Sequence, residues 1–161
     1  MSGKKPFCDI ASADPEDPSQ LLRQLFMALR VQTEEGLRPR GFSLPQFGVM
    51  MFLKKMPGLS NAELARRAYV TPQAMGEVLS ALEKAKLIRR QPHEENARIL
   101  SAELTAAGEK ALDSCLQVTR QISDRMFSPM SAENKKMFAG LLEQCLTGLN
   151  VGTSPRKHAS K

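Results

Sequence analysis

Two helix start signals stand close together in the middle of the chain, and they constrain its fold more than any other feature. Ser60 and Glu63 form a capping box, in which each side chain accepts a hydrogen bond from the backbone N–H of the other residue. Thr71 marks a second start, because Thr caps helices well and the following Pro72 suits the first helical position. The spacing predicts a helix of about eight residues, a turn of about three and a second helix of about fourteen. This pattern is typical of a helix-turn-helix, whose second helix presents its polar face to the major groove of DNA.

The second of these helices has one apolar and one polar face. Met75, Leu79 and Leu82 recur at helical spacing and predict the buried face. The polar face carries the candidate DNA-contacting residues Thr71, Gln73, Gly76, Glu77, Ser80 and Lys84. Gln73 is expected to read bases, because its amide can bond adenine N6 and N7 together, and a phosphate or water contact is the alternative. Glu77 is expected either to accept a hydrogen bond from cytosine N4 or to face solvent beside an arginine.

Beyond Lys86 the apolar residues recur at every second position instead of every third or fourth. Residues 87–91 and 98–103 therefore predict two strands, with a polar loop at 92–97 between them. A hairpin directly after a helix-turn-helix is a wing. Nine basic and five acidic side chains lie between residues 54 and 98, so much of the net charge of +6 is concentrated here. This excess predicts an anionic polymer as the partner, and a solvated basic surface is the alternative.

Long amphipathic helices are predicted on both sides of this segment. Residues 19–37 carry apolar side chains at helical spacing, with Ser19 as the N-cap. Residues 105–149 carry two further helices, which begin after Thr105 and Ser131. The first and last helices have apolar stripes that the helix-turn-helix cannot cover. We therefore expect a homodimer.

The sequence predicts a mainly α (α+β) chain with one folded domain. The predicted parts are a disordered N-terminal segment at 1–18, a folded domain at 19–150 and a disordered basic tail at 151–161. Within the folded domain, we predict a winged helix-turn-helix with a two-stranded wing at about 43–104 and dimerisation helices at 19–37 and 105–149.

Several classes of function are disfavoured by what the sequence lacks. The three cysteines are widely spaced and form no C-x-x-C pattern, which argues against a disulfide framework and a metal site. The chain has two histidines, no base and nucleophile pair and no Gly-rich phosphate loop, so we expect neither an enzyme nor a bound cofactor. No apolar run approaches the roughly 18 residues of a membrane span, and the N-terminus lacks the apolar core of a secretory signal. We therefore expect a cytoplasmic protein without a membrane partner.

Four short segments occur in a characteristic order and spacing. They are LSNAELA at 59–65, VTPQAM at 70–75, LEKAKLIRR at 82–90 and LTAAG at 104–108. Together they resemble the MarR family of bacterial winged-helix transcriptional regulators. The resemblance follows the order of elements over roughly residues 20–150 and is tight only from about 59 to 108.

This resemblance implies a sequence-specific regulator of transcription. It implies a homodimer held by the first and the last two helices, with recognition helices in successive major grooves of pseudo-palindromic double-stranded DNA and wings at the minor groove. It further implies a repressor that is released by a small aromatic or phenolic ligand. Two alternatives are a winged-helix protein-interaction module with little affinity for DNA and a regulator that is gated by thiol oxidation.

The resemblance also places a ligand pocket between the first, second and fifth helices. The candidate lining residues there are Phe26, Arg30, Phe47, Met51 and Cys115. Arg30 would bind a ligand carboxylate, and ordinary core packing is the alternative for most of the set. Redox-sensing relatives place a cysteine in the first helix near tyrosines. Here Cys8 precedes that helix and the sole tyrosine, Tyr69, lies in the helix-turn-helix, which disfavours redox gating.

Some residues depart from the family pattern. The wing of many relatives reads Asp-Arg-Arg, whereas Asn96, Ala97 and Arg98 stand here, so only Arg98 is expected at the minor groove. Lys86 occupies a position where relatives usually have Gly, which predicts a left-handed helix cap or a different turn. Gly76 lies inside a helix at a cost of about 1 kcal/mol relative to Ala, and a close backbone approach to DNA or to the preceding turn, or simple packing, would explain it.

The remaining candidates are expected to contact or neutralise the DNA backbone, although some are expected to be only solvated. They are Arg66, Arg67, Thr71, Ser80, Lys84, Arg89 and Arg90.

Overall fold

The computed structural model describes residues 17–93 and 96–149, and it describes side chains in these ranges except those of residues 93 and 96–99. Six α-helices, one 3₁₀ turn and three strands follow one another in the described residues. They are α1 (Pro18–Leu37), the 3₁₀ turn (Arg38–Arg40), α2 (Leu44–Lys55), β1 (Leu59–Ser60), α3 (Asn61–Ala68), α4 (Pro72–Lys84), β2 (Ile88–His93), β3 (Asn96–Leu104), α5 (Ala106–Phe127) and α6 (Ala132–Gly148).

The described residues form a mainly helical fold with a small antiparallel sheet, which confirms the predicted fold class. The sheet has three strands in the order β1-β3-β2, not the two predicted. Leu59 pairs with Ala102 and Ser60 with Ser101. A two-residue strand is too short to show an alternating pattern, and it exists only because β3 lies beside it.

The two long strands of the wing extend further than predicted. β2 continues to His93 and β3 begins at Asn96, so both enter the segment that was predicted to be a loop. The register is irregular between Pro92 and His93. Because β2 is an edge strand, a proline at such an irregularity breaks little of the hydrogen-bond ladder.

The start of α1 differs from the prediction. Asp17 is the N-cap, with its Oδ1 accepting from the Ser19 backbone N–H at 2.9 Å, and Pro18 is the first helical residue. Ser19 is therefore inside the helix. Proline suits the first helical position, because the backbone N–H that it lacks would have no hydrogen-bond partner within the helix there, and the Asp17 carboxylate is a good N-cap. The hydrogen bond from the Ser19 backbone lowers the pKa of Asp17. Asp17 and Pro18, which the sequence places in a disordered segment, are the start of α1. Residues 1–16 of that predicted segment and the predicted tail at 151–161 lie outside the described residues.

The other predicted helix starts are confirmed. Ser60 and Glu63 form the reciprocal capping box of α3, and the Thr71 hydroxyl caps α4. The Thr105 hydroxyl accepts from the Gly108 N–H at 3.0 Å at the start of α5, and the Ser131 hydroxyl caps α6. Cap chemistry is local, which explains why the sequence predicts these positions.

The hydrophobic core joins α2, α3, α4, α5 and the sheet around the end of α1. Its most deeply buried side chains are Leu37, Val49, Met50, Leu53, Leu64, Met75, Leu79, Leu82, Leu112 and Cys115. The chain divides into two compact units within α5, the first ending at Ile122 and the second beginning at Ser123. The helix-turn-helix and the wing therefore belong to the first unit.

The wing is tied to α5 by a close backbone approach at Gly108. A Cβ atom on Gly108 would overlap the carbonyl oxygen of Leu87. The backbone N–H of Thr105 donates to the same carbonyl at 3.0 Å, and the Thr105 hydroxyl donates to the Lys86 carbonyl at 2.8 Å. Lys86 itself has φ of 60°, which confirms the left-handed alternative for this cap. The turn at Lys86 and Leu87 thus fixes where the wing begins.

Candidate nucleic-acid interface

The helix-turn-helix is fixed by caps at both of its helices. In the capping box, Ser60 N–H donates to Glu63 Oε2 at 2.8 Å, and Glu63 N–H donates to Ser60 Oγ at 3.3 Å. At the start of α4, Ala74 N–H donates to Thr71 Oγ1 at 3.2 Å. Asn61 Nδ2 donates to the Pro72 carbonyl at 3.0 Å and so links the first turns of α3 and α4. The caps fix where α3 and α4 begin, and the Asn61 hydrogen bond connects the two helices directly.

Helix α4 buries one face and exposes the other, as the sequence predicts. Met75, Leu79 and Leu82 are at most 2% exposed. The opposite face, called the recognition face below, consists of the exposed side chains of Thr71, Gln73, Glu77, Ser80 and Lys84. The structure therefore brings all five of these predicted contact residues onto one accessible surface.

Gly76 lies at the edge of the recognition face and is half-buried. A Cβ atom there would meet only Asn61 Nδ2, at the ordinary contact distance of 3.9 Å. The fold therefore does not need a glycine to bring α4 close to the preceding turn. Of the explanations offered by the sequence, close approach to DNA and simple packing remain.

Two acidic residues on or near α4 differ in their surroundings. Glu77 is exposed and forms no ion pair with another residue in the described ranges, so the expected pairing with a nearby arginine is not seen there. Glu83, by contrast, accepts from the Arg90 Nε at 2.7 Å, and this hydrogen bond lowers the pKa of Glu83. Of these two acids, Glu77 is thus the exposed one without an ion-pair partner among the described residues.

The basic shoulder of the wing is partly neutralised inside the protein. Arg89 donates to Glu103 Oε2 from Nε at 3.2 Å and from Nη2 at 2.8 Å, and these two residues are direct cross-strand partners. Arg90 is paired with Glu83 and is half-buried. Both arginines are predicted from the sequence to contact or neutralise the DNA backbone. In the structure each is paired with a carboxylate that offsets its positive charge. The side chain of Arg98, on β3, lies outside the described side chains.

The exposed end of α3 carries unpaired positive charge. Arg66 and Arg67 are exposed, and neither forms an ion pair with another described residue. They line one surface cleft together with Glu63 and Tyr69. Tyr69 follows the last residue of α3 with φ of 54° and is 96% exposed. Tyr69 is not among the predicted contact residues, although a non-glycine residue directly after a helix end is a signal in the sequence that could have singled it out.

The ligand-pocket candidates fall into two groups. Cys115 is fully buried, and Phe47 and Met51 pack against the core cluster that contains it. Phe26 and Arg30, on α1, are exposed. The structure therefore does not bring all five residues together around one cavity.

Arg40, which is not one of the predicted pocket residues, acts electrostatically on Cys115. Arg40 donates from Nη1 to the Gly36 carbonyl at 3.0 Å and from Nε to Ser114 Oγ at 3.1 Å, which links the end of α1 to α5. Burial raises the pKa of the Cys115 thiol, and the positive charge of Arg40 opposes that rise. A thiol with a raised pKa is a poor nucleophile, which argues against Cys115 as an oxidation switch.

No group of three or more His, Cys, Asp or Glu side chains in the described residues could hold a metal ion. None of the helices in residues 17–93 and 96–149 is long and apolar enough to cross a membrane.

A doubly capped helix pair, an exposed polar face on the second helix and a hairpin directly behind it define a winged helix-turn-helix protein. The MarR-family model matches residues 42–100. The HTH-type transcriptional repressor Rv2887 of Mycobacterium tuberculosis is 37% identical over 132 residues, which cover 82% of this chain and 95% of that relative. The chain belongs to the MarR family.

Two solved structures of Rv2887 resemble the chain in fold. Its crystal structure in complex with DNA has a TM-score of 0.70 at 34% identity and covers 83% of this chain and 98% of that chain. Its crystal structure in complex with salicylic acid has a TM-score of 0.66 at 36% identity and covers 84% of this chain and 98% of that chain.

Proposed function

We propose that this chain is a sequence-specific, DNA-binding transcriptional repressor that acts in the bacterial cytoplasm and is released from DNA by a small aromatic ligand. The observation that carries the proposal is the recognition face of α4, which is exposed while its opposite face is buried. The same fold occurs in a relative solved with DNA. The proposed role is regulatory, with no catalytic activity and no cofactor.

The residues of the interface divide into readers and backbone contacts. Gln73 projects from the first turn of α4, where side chains of a recognition helix reach base edges, and we assign it the reading of adenine. Glu77 is the second candidate for a base contact. The proposed phosphate contacts are Arg66, Arg67, Thr71, Ser80 and Lys84, with Arg98 at the minor groove and a smaller part for Arg89 and Arg90.

DNA binding is tested by recovering the bacterial genomic fragments that the full chain retains and then titrating one of them at several salt concentrations. A repressor of this kind binds the recovered duplex more tightly than random DNA. The logarithm of its affinity falls with the logarithm of salt concentration with a slope of about −0.9 per phosphate contacted. A protein-interaction module retains no fragment, and that result would contradict the proposal.

The partner subunit is proposed to be a second copy of the chain. On α1, Phe26 is 62% exposed and Val31 47% exposed, and on α6, Met137 is 59% exposed and Leu141 52% exposed. Large apolar side chains with this exposure favour burial in an interface. We assign dimerisation to the helices at 19–37 and 105–149 and DNA binding to residues 43–104.

We expect a chain that ends at Met130 to be a monomer at micromolar concentration, because it lacks α6. Light scattering of the full and shortened chains measures this, and circular dichroism checks that the remaining helices persist. Leu141→Glu in the full chain places a charge on the exposed apolar face of α6 and should also weaken the dimer. A monomeric full chain would show that no such interface exists.

The proposed ligand is a small aromatic acid, because Rv2887 has been solved with salicylic acid. Arg30 is the proposed partner of the carboxylate, and Phe26 is a candidate for contact with the ring. Phe47, Met51 and Cys115 are the candidates that lie in or against the hydrophobic core. We expect salicylate to release the wild-type chain from DNA. The Arg30→Ala variant should stay bound at the same salicylate concentration.

A further inference from the structure

Tyr69 is an exposed aromatic residue on the turn of the helix-turn-helix. It lies between the last residue of α3 and the cap of α4, and it is 96% exposed. Its φ of 54° places it in the left-handed region, where a residue with a Cβ atom is strained and glycine is favoured. Within the part of the chain that the structure describes, its phenol hydroxyl has no hydrogen-bond partner. The fold alone therefore gives no reason for a tyrosine at this position.

The turn that carries Tyr69 is held by backbone hydrogen bonds. Tyr69 N–H donates to the Arg66 carbonyl at 3.3 Å, and Val70 N–H donates to the Ala65 carbonyl at 3.0 Å. Thr71, two residues further on, caps α4. The tyrosine is thus presented on an ordered turn directly before the helix that we propose enters the major groove.

The surroundings of Tyr69 favour an anion. Arg66 and Arg67 line the same cleft, both are exposed, and neither forms an ion pair with another described residue. Glu63 also lines the cleft, but its Oε2 accepts from the Ser60 backbone N–H at 2.8 Å and from the Ser60 hydroxyl at 2.7 Å. Its charge is therefore engaged in the capping box. A tyrosine hydroxyl is a common donor to DNA phosphates.

We propose that the Tyr69 hydroxyl donates a hydrogen bond to a backbone phosphate of DNA at the edge of the groove that α4 enters. Arg66 and Arg67 attract the same strand. The inference rests on the proposed function, since it requires that the chain bind duplex DNA. It adds a residue that fixes the position of α4 without reading sequence.

The composition of the chain allows a direct measurement. The sequence contains one tyrosine and no tryptophan, so intrinsic fluorescence of the full chain reports Tyr69 alone. Iodide should quench this emission efficiently in the free protein, because the side chain is exposed. Saturation with the recovered genomic duplex should lower the iodide quenching constant severalfold. Tyr69→Phe, which has no such emission, supplies the background at each concentration of DNA.

Binding measurements then separate the hydroxyl from the rest of the side chain. Tyr69→Phe should weaken binding to recovered and random duplexes alike, by about tenfold per half-site. The slope of affinity against salt should stay unchanged, since no charge is removed. Arg67→Ala, from the same cleft, is the matched comparison and should flatten that slope.

A stability measurement distinguishes this role from a structural one. Tyr69→Gly relieves the left-handed strain and should raise Tm by about 2–4 °C, while binding DNA at least as weakly as Tyr69→Phe. Lys86→Gly, at the other left-handed non-glycine residue, is the control for this gain in Tm.

The outcomes separate the two proposals. If the wild-type chain binds no duplex, the proposed function fails and this inference fails with it. If the wild-type chain binds DNA but Tyr69→Phe binds equally well and Tyr69 stays open to iodide, only this inference is overturned. Protection of Tyr69 by a protein partner and not by DNA would overturn it as well.

Discussion

Gly108→Ala is expected to lower the free energy of unfolding by about 3 kcal/mol. The new Cβ atom would overlap the carbonyl oxygen of Leu87, and it would lie 2.9 Å from the Leu87 carbonyl carbon. Both are backbone atoms, so no side-chain rotation can relieve the overlap. The carbonyl also accepts from Thr105 N–H, so moving it breaks the contact that joins the wing to α5. For a chain of this length, Tm should fall by about 6–12 °C.

Gly76→Ala is the matched control for this experiment. Gly76 also lies inside the turns of a helix, but its Cβ would meet only Asn61 Nδ2 at 3.9 Å. Alanine there should therefore raise stability by up to about 1 kcal/mol. Thermal unfolding of both variants without DNA measures the difference. Equal stability of Gly108→Ala and wild type would mean that α5 does not pack on the Leu87 carbonyl. A loss of DNA affinity in Gly76→Ala would favour close approach of the backbone to DNA.

Local chemistry explains what the sequence could predict of the fold. The caps at Ser60, Thr71 and Ser131 depend on residues within three positions, and each begins a helix in the structure. The same reasoning predicts Ser19 as a cap, but Asp17 with Pro18 after it is the stronger combination. Where two residues that can both cap a helix stand two positions apart, the sequence does not decide which of them begins the helix.

Long-range pairing explains what the sequence could not predict. The strand at Leu59–Ser60 exists only through its pairing with β3, which lies about forty residues further along the chain. The neutralisation of Arg89 depends on the register that places Glu103 opposite it. The charge count over residues 54–98 treats such arginines as free, because pairing across strands is not visible in a linear sequence.

Loss of a base contact and loss of a DNA-backbone contact should have different effects on binding. The first should lower discrimination between DNA sequences, and the second should lower affinity for all of them. Gln73→Ala removes no charge, so the slope of log affinity against log salt should stay as in wild type. Discrimination against a substituted adenine should fall by about 1–3 kcal/mol per half-site. Arg98→Ala removes a cation from each half-site, so binding to cognate and random DNA should weaken together. Its salt slope should flatten by about 0.9 per lost phosphate contact, or about 1.8 per dimer.

The measurement is a set of binding isotherms for both variants on cognate, singly substituted and random duplexes at four salt concentrations. Gln73 is exposed on the first turn of α4, beside the cap that fixes where this helix begins, so its reach to a base edge depends on little else in the protein. If Gln73→Ala keeps the full preference for the cognate duplex, Gln73 is not the reader. Specificity would then come from Glu77, the exposed acid with no ion-pair partner among the described residues, or from the shape of the DNA. Glu77→Gln would separate these two, because it alters a base contact and leaves readout of DNA shape unchanged.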